Sequence, residues 1–201
     1  MRVGLFGGTF DPIHVGHLIL AEACRDAAKL DEVWFLPSYV PPHKLDKTIT
    51  RYEHRCEMVT LATTGQPAFR VETIEKELPP PSYTANTLAE LKLRHPAVTF
   101  CLLIGGDSLQ ELPTWMEPAR VVQQAELVAV ARPNFTGLTT EELEGILGVQ
   151  PGAVKLTMVR SPLISISSTE LRARVQAGRS IRFQVPRSVE EFIRERKLYR
   201  A

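Results

Sequence analysis

The chain has 201 residues, with 24 Lys and Arg set against 23 Asp and Glu for a formal net charge of +1. So even a balance gives no bulk field for nucleic acid, and any anion-binding power has to be local to a site. No run approaches the ~18 apolar residues of a membrane span, and glycines and Asp11 break the apolar start too early for a signal peptide. The three cysteines, Cys24, Cys56 and Cys101, lie apart within apolar or helical runs, as reduced thiols in or near a core do. A cytoplasmic protein of one domain spanning residues 1–201 is expected, with no membrane and no nucleic acid among its partners.

In chain order, short apolar runs predict strands at Val3–Phe6, Val33–Leu36, Phe69–Val71, Phe100–Ile104, Leu127–Ala131 and Leu156–Val159. Helical patterns fill the gaps at Leu18–Ala28, Tyr52–Thr63, Ala85–Arg94, Ala119–Gln124 and Glu141–Leu147, and two further helices follow at Ser167–Ala177 and Ser188–Arg196. Alternation of this kind predicts an α/β fold: a doubly wound parallel sheet, Rossmann-like, with helices at the C-terminus. Ligands of such sheets bind beyond the carboxyl ends of the strands. Two stretches break the pattern. Pro37–Thr50 reads as an exposed loop, and Pro79-Pro80-Pro81 as a stiff extended segment delivering Ser82-Tyr83-Thr84 to the next helix. Both are candidate substrate walls.

The most informative stretch is Gly7-Gly8-Thr9-Phe10-Asp11-Pro12-Ile13-His14-Val15-Gly16-His17, between the first strand and the first helix. Glycines there let the backbone approach a phosphate, and the helix start presents free N–H groups to it. Two imidazoles at that helix start point to phosphoryl or nucleotidyl transfer. Two histidines alone do not make a zinc site, which takes three or four ligands. Neither the dinucleotide-binding G-x-G-x-x-G spacing nor the P-loop spacing is present.

On these residues the chain resembles the nucleotidyltransferases that carry a T/H-x-G-H signature, and more closely the bacterial nicotinate-nucleotide adenylyltransferases. Further segments agree in order: Val40-Pro41-Pro42-His43-Lys44, His54-Arg55-Cys56-Glu57-Met58, Ser82-Tyr83-Thr84, Gly105-Gly106-Asp107-Ser108-Leu109 and Ile166-Ser167-Ser168-Thr169-Glu170-Leu171-Arg172. The family usually has Gly-Ala-Asp where this chain has Gly105-Gly106-Asp107. The pantetheine-phosphate adenylyltransferases and cytidylyltransferases share the histidine signature, without the Ser82–Thr84 and Gly105–Trp115 segments as they stand here.

The resemblance implies adenylyl transfer from ATP to nicotinate mononucleotide, giving nicotinate adenine dinucleotide and pyrophosphate, as a step of NAD biosynthesis. The corresponding amide and a nucleotide-binding module without turnover are the alternatives, and a homo-oligomer is left open. The attacking phosphate is already anionic near neutral pH, so the chemistry asks for N–H donors, imidazoles, Lys, Arg and Mg²⁺ carried with ATP, and for no side-chain nucleophile. His14, His17 and Arg172 are the expected catalytic residues. Gly7, Gly8, Thr9, Phe10, Gly16, Ser167, Ser168 and Thr169 are expected to hold ATP, Thr9 and Phe10 through backbone N–H groups. His43, Lys44 and Arg55 are expected near the mononucleotide phosphate, with Asp107 at ribose hydroxyls or ordering the water and metal shell. Tyr83 and Trp115 are expected to stack on the pyridine ring, and Thr84 to meet its carboxylate.

Overall fold

The computed structural model describes residues 1–44, 48–131, 138–162 and 164–200, with the backbone alone for Lys44 and Ala131. The chain runs β1 (Arg2–Gly8), α1 (Val15–Ala27), β2 (Glu32–Pro37), α2 (Tyr52–Thr63), β3 (Phe69–Val71), α3 (Thr84–Arg94) and β4 (Thr99–Gly105). It continues with α4 (Gly106–Glu111), α5 (Pro118–Gln124), β5 (Glu126–Ala131), α6 (Thr140–Leu147), β6 (Leu156–Arg160), α7 (Ser168–Gln176) and α8 (Arg187–Glu195).

Six strands form one parallel sheet in the order β3-β2-β1-β4-β5-β6. The order reverses between β1 and β4, which hydrogen-bond to each other with Leu5 opposite Leu102. In open α/β sheets the crevice beyond such a reversal is where ligands bind. Alternate side chains of the inner strands enter two separate cores. Val33, Phe35, Cys101 and Leu103 pack on one face with Ala21, Leu171 and Val189 of α1, α7 and α8. Trp34, Leu36, Phe100 and Leu102 pack on the other with Leu88, Leu109 and Val121 of α3, α4 and α5. Burial on both faces is why these strands read as unbroken apolar runs. Cys24 and Cys101 are buried and Cys56 half-buried, and all three are free thiols.

Every predicted strand and helix is present, and the doubly wound sheet is as expected. The differences sit where they bear on the site. α1 begins at Val15 rather than Leu18, so Gly16 and His17 lie inside its first turn. The six-residue α4 and single 3-10 turns at Pro42–Lys44, Ile74–Lys76 and Leu112–Thr114 are too short to leave a hydrophobic period in the sequence.

Candidate active site

At the end of β1 the backbone turns sharply. Phe10 holds a left-handed conformation (φ +47°), unusual for any residue but glycine, and its ring is buried edge-on against Phe6 and His17. A Cβ on Gly8 would lie 2.9 Å from that ring, so glycine is required there for the loop to fold back on itself, while Gly7 faces open space. The sequence assigned Phe10 only through its N–H; the side chain is the anchor that fixes the loop.

His14 caps α1, and its imidazole stacks on that of His17 with ring centroids 3.7 Å apart. The His14 backbone N–H donates to His17 Nδ1 at 3.2 Å, which leaves Nε2 to carry the proton of the neutral His17 ring. Burial lowers His14 to about 4 and His17 to about 3, with the neighbouring imidazole adding to the second. Both rings are therefore neutral donors at neutral pH. His14 Nδ1 is buried with no hydrogen-bond partner among the described residues. An orphaned buried nitrogen costs ~1–3 kcal/mol, and an arriving phosphate oxygen would relieve it. Gly16 is pressed against this pair: a Cβ there would lie 3.0 Å from His14 Nδ1. Its place beside His14 is one of close packing.

A second helix start closes on the same loop. Ser167 caps α7 by accepting from Glu170 N–H at 3.2 Å. Ser168 Oγ donates to the Pro12 carbonyl at 2.8 Å, and Arg172 Nη1 to the Asp11 carbonyl at 2.8 Å, with Nη2 on Thr169 Oγ1 at 3.3 Å. Residues 156 and 161 positions apart in the chain thus meet at the motif, with α1 and α7 both offering helix N-termini to anions.

From Gly7, Gly8 and Thr9 a cavity of about 590 Å³ runs along the ends of β1 and β4. His43, Ser82, Tyr83, Thr84 and Trp115 line it, as does Glu75, which the sequence did not single out. Thr84 is the first residue of α3, where the backbone of Tyr83 accepts from Asn86 and Thr87 and the Thr84 N–H is left over for a ligand. Asp107 is exposed on the first turn of α4 and does not line this cavity. The side chain of Lys44 lies outside the described residues.

Arg55 is a correction. The sequence placed it near the mononucleotide phosphate; the structure buries it at 1 % exposure beneath the loops. Its guanidinium donates to the carbonyls of Thr50 (2.9 Å), Thr9 (2.8 Å) and Ser38 (2.8 Å), so its donors are spent on backbone. Asp11 is buried as well, with Oδ1 accepting from Tyr199 of the C-terminal segment at 2.6 Å and Oδ2 from Thr50 N–H at 3.1 Å. Glu75, 7 % exposed, accepts from Tyr39 N–H at 3.1 Å and from the Thr87 hydroxyl at 3.4 Å, and burial pushes its carboxyl up to about 7. Glu72, Glu75 and Glu77 look alike in the sequence, so only the three-dimensional packing singles out Glu75.

Residues 5–174 match the cytidylyltransferase-like family model. A protein of Exiguobacterium sibiricum named as a probable nicotinate-nucleotide adenylyltransferase is 43% identical over 199 residues, covering 99% of each chain. One of Thermomicrobium roseum with the same name is 42% identical over 200 residues, 99% of this chain and 92% of that one. The chain belongs to the nicotinate-nucleotide adenylyltransferase family. Its fold is also that of the Plasmodium falciparum nicotinic acid mononucleotide adenylyltransferase complexed with NaAD, with a TM-score of 0.77 at 22% identity, covering 98% of this chain and 97% of that one. Across the described residues of this family member no helix is long and apolar enough to cross a membrane, and no group of three or more His, Cys, Asp and Glu is placed to hold a metal ion.

Proposed function

We propose that the chain transfers the adenylyl group of ATP to nicotinate mononucleotide, giving nicotinate adenine dinucleotide and pyrophosphate. One observation carries this reading: one cavity is lined both by Gly7, Gly8 and Thr9, from the loop that leads to the His14–His17 pair, and by Tyr83, Thr84 and Trp115. The family membership supports it.

In this reading an oxygen of the mononucleotide phosphate attacks the α-phosphorus of ATP. A P–O bond forms, and the bond to the bridging oxygen breaks with its electrons passing to pyrophosphate. Mg²⁺ enters on the ATP phosphates as part of the substrate. The positive end of the α1 dipole and the Nε2–H of His17 hold the α-phosphate in line. Anionic phosphates also raise the proton affinity of both imidazoles from the low values of the empty site, so negative charge moving to the leaving group is met by donors that strengthen as it moves. Ser168, Thr169 and Arg172, at the start of α7, take the pyrophosphate end of ATP. Trp115 and Tyr83 stack on the pyridine ring, and Thr84 N–H meets its carboxylate. His43 borders the same cavity on the mononucleotide side.

The test is direct. The enzyme is given Mg-ATP with nicotinate and nicotinamide mononucleotides in competition, pyrophosphate release is followed, and the dinucleotide is identified by mass. Nicotinate adenine dinucleotide is expected as the main product. A predominantly amide product overturns the substrate, and binding of ATP without pyrophosphate release under any of these conditions overturns the reaction.

A further inference from the structure

Glu75 is a buried titratable group that the proposed reaction does not use, and it stands in the wall of the cavity that takes the pyridine ring. It joins three segments of that wall. Oε2 accepts from Tyr39 N–H, Oε1 from the Thr87 hydroxyl on α3, and Ser82 hydrogen-bonds to it as well. Ser82 in turn exchanges two hydrogen bonds with Val40, N–H to carbonyl at 2.9 Å and Val40 N–H to Oγ at 3.1 Å. The carboxylate therefore lies against the first turn of α3, the same turn whose Thr84 N–H is offered to the substrate.

The charged and titratable surroundings are few. Arg55 and Tyr52 face Glu75 from α2, and Arg55 already satisfies three carbonyls. On its own turn, Lys76 is turned to Glu53 and Glu77 to Arg94. α3 has no acidic residue in its first turn. Elsewhere around the cavity are His43, Tyr83 and Glu117, the last paired with Arg120. Among the described side chains, no Lys or Arg around Glu75 is left over to neutralise a second carboxylate. Two carboxylates confined at one helix start do not both stay ionised: one of them takes a proton. The carboxyl already held near neutrality by burial is Glu75.

We propose that Glu75 is a specificity-determining residue of the mononucleotide site: it accepts a proton from solvent when the pyridine carboxylate enters, and when ionised it turns that carboxylate away. The inference rests on the nicotinate reading above. An amide brings no charge and makes no such demand.

The experiment compares kcat/KM for nicotinate mononucleotide between pH 6 and 9 in the wild-type enzyme and in Glu75→Gln, which is neutral throughout and keeps a carbonyl acceptor for Tyr39. The ratio of the two profiles cancels the ionisation of the substrate phosphate. The wild type is expected to fall relative to the variant above about pH 7, toward tenfold per pH unit, with calorimetry showing more protons taken up on binding in the wild type. Thr87→Val, which removes a hydroxyl that favours the ionised form, should move the wild-type fall to higher pH, a shift that loss of structure alone does not produce; it also serves if Glu75→Gln does not fold. Failure to turn over nicotinate mononucleotide at any pH overturns the functional reading. Turnover with matching profiles for wild type and Glu75→Gln, or an unshifted Thr87→Val profile, overturns this inference alone.

Discussion

The two ends of the cavity are built on opposite plans. The phosphate end proposed here comes from one contiguous stretch, residues 7–17, with a single remote helix start added by α7, and its donors are backbone N–H groups, neutral imidazoles and the side chains of Ser168, Thr169 and Arg172. The pyridine end is gathered from the segments after β2 and β4, the turn at Ile74–Lys76, the start of α3 and the Leu112–Thr114 turn, and its buried ionisable group is a carboxylate. An anion-binding site on a parallel sheet needs only a strand, a tight loop and a helix. A selective pocket for a ring needs walls, and walls come from wherever the chain happens to pass.

Arg55 ties the two ends together, since one guanidinium serves Thr9 at the phosphate end and Ser38 at the pyridine end. Arg55→Ala is expected to have the largest effect on the molecule. Three buried carbonyls lose their donor and a full-length side chain leaves a void, for a loss of about 3–5 kcal/mol of stability, measured by urea unfolding. Use of both substrates should fail together. Lysine should not rescue it, because one ammonium cannot span three acceptors in fork geometry. Unchanged stability with a raised KM for the mononucleotide alone would return Arg55 to the pocket.

The same contrast explains what was legible in the sequence. The four inner strands were readable because burial on both faces makes each an apolar run, and the phosphate loop because its glycines and histidines are neighbours in the chain. Tyr83, Thr84 and Trp115, singled out in the sequence, line the cavity. Arg55 misled, because a basic residue on a polar helix face looks alike whether it turns to a ligand or inward to backbone carbonyls. Asp11, Tyr199 and Glu75 had no local signal: their roles come from contacts with partners 12 to 188 positions away.

His17→Ala probes the phosphate end by itself. Loss of one preorganised donor to the transferring phosphoryl group should lower kcat by about 10²–10³-fold, with urea unfolding near neutral pH little changed. A folded His17→Ala enzyme of near-normal turnover would show that the backbone carries the phosphate end unaided.

Acid and base should separate the ends next. His14 and His17 are lowered by burial, so the unfolded chain takes up protons below about pH 6.5 while the folded one does not until about 4 and 3. Their stability contribution is whole above pH 6.5 and is lost as pH falls, by up to about 2 kcal/mol each at pH 5. Glu75 is raised, so its contribution is whole below the ordinary carboxyl range and is lost as pH rises through about 7. The two windows overlap with opposite signs, so unfolding midpoints measured from pH 4.5 to 7 should rise with pH more gently in His17→Ala than in the wild type, and more steeply in Glu75→Gln. The opposite change of slope in either variant would reverse the assignment of charge to the two ends.

The smallest expected effect is the most selective. Gly16 sits in the first turn of α1 without a left-handed φ, so alanine fits its backbone and should favour the helix by up to ~1 kcal/mol. The added Cβ, however, would lie 3.0 Å from His14 Nδ1 and 3.2 Å from Cε1, with Ile164 Cγ2 at 3.5 Å on another side. The imidazole has to give by a few tenths of an ångström, and a catalytic group is held usefully within only ~0.5 Å of its productive position. Gly16→Ala is therefore expected to hold or raise the thermal midpoint while lowering kcat by about tenfold, a split that no change in the pyridine wall produces. If kcat and midpoint fell together, Gly16 would matter only for packing. If neither moved, the His14 ring would have room to shift, and alignment at the phosphate end would rest on His17 and the backbone.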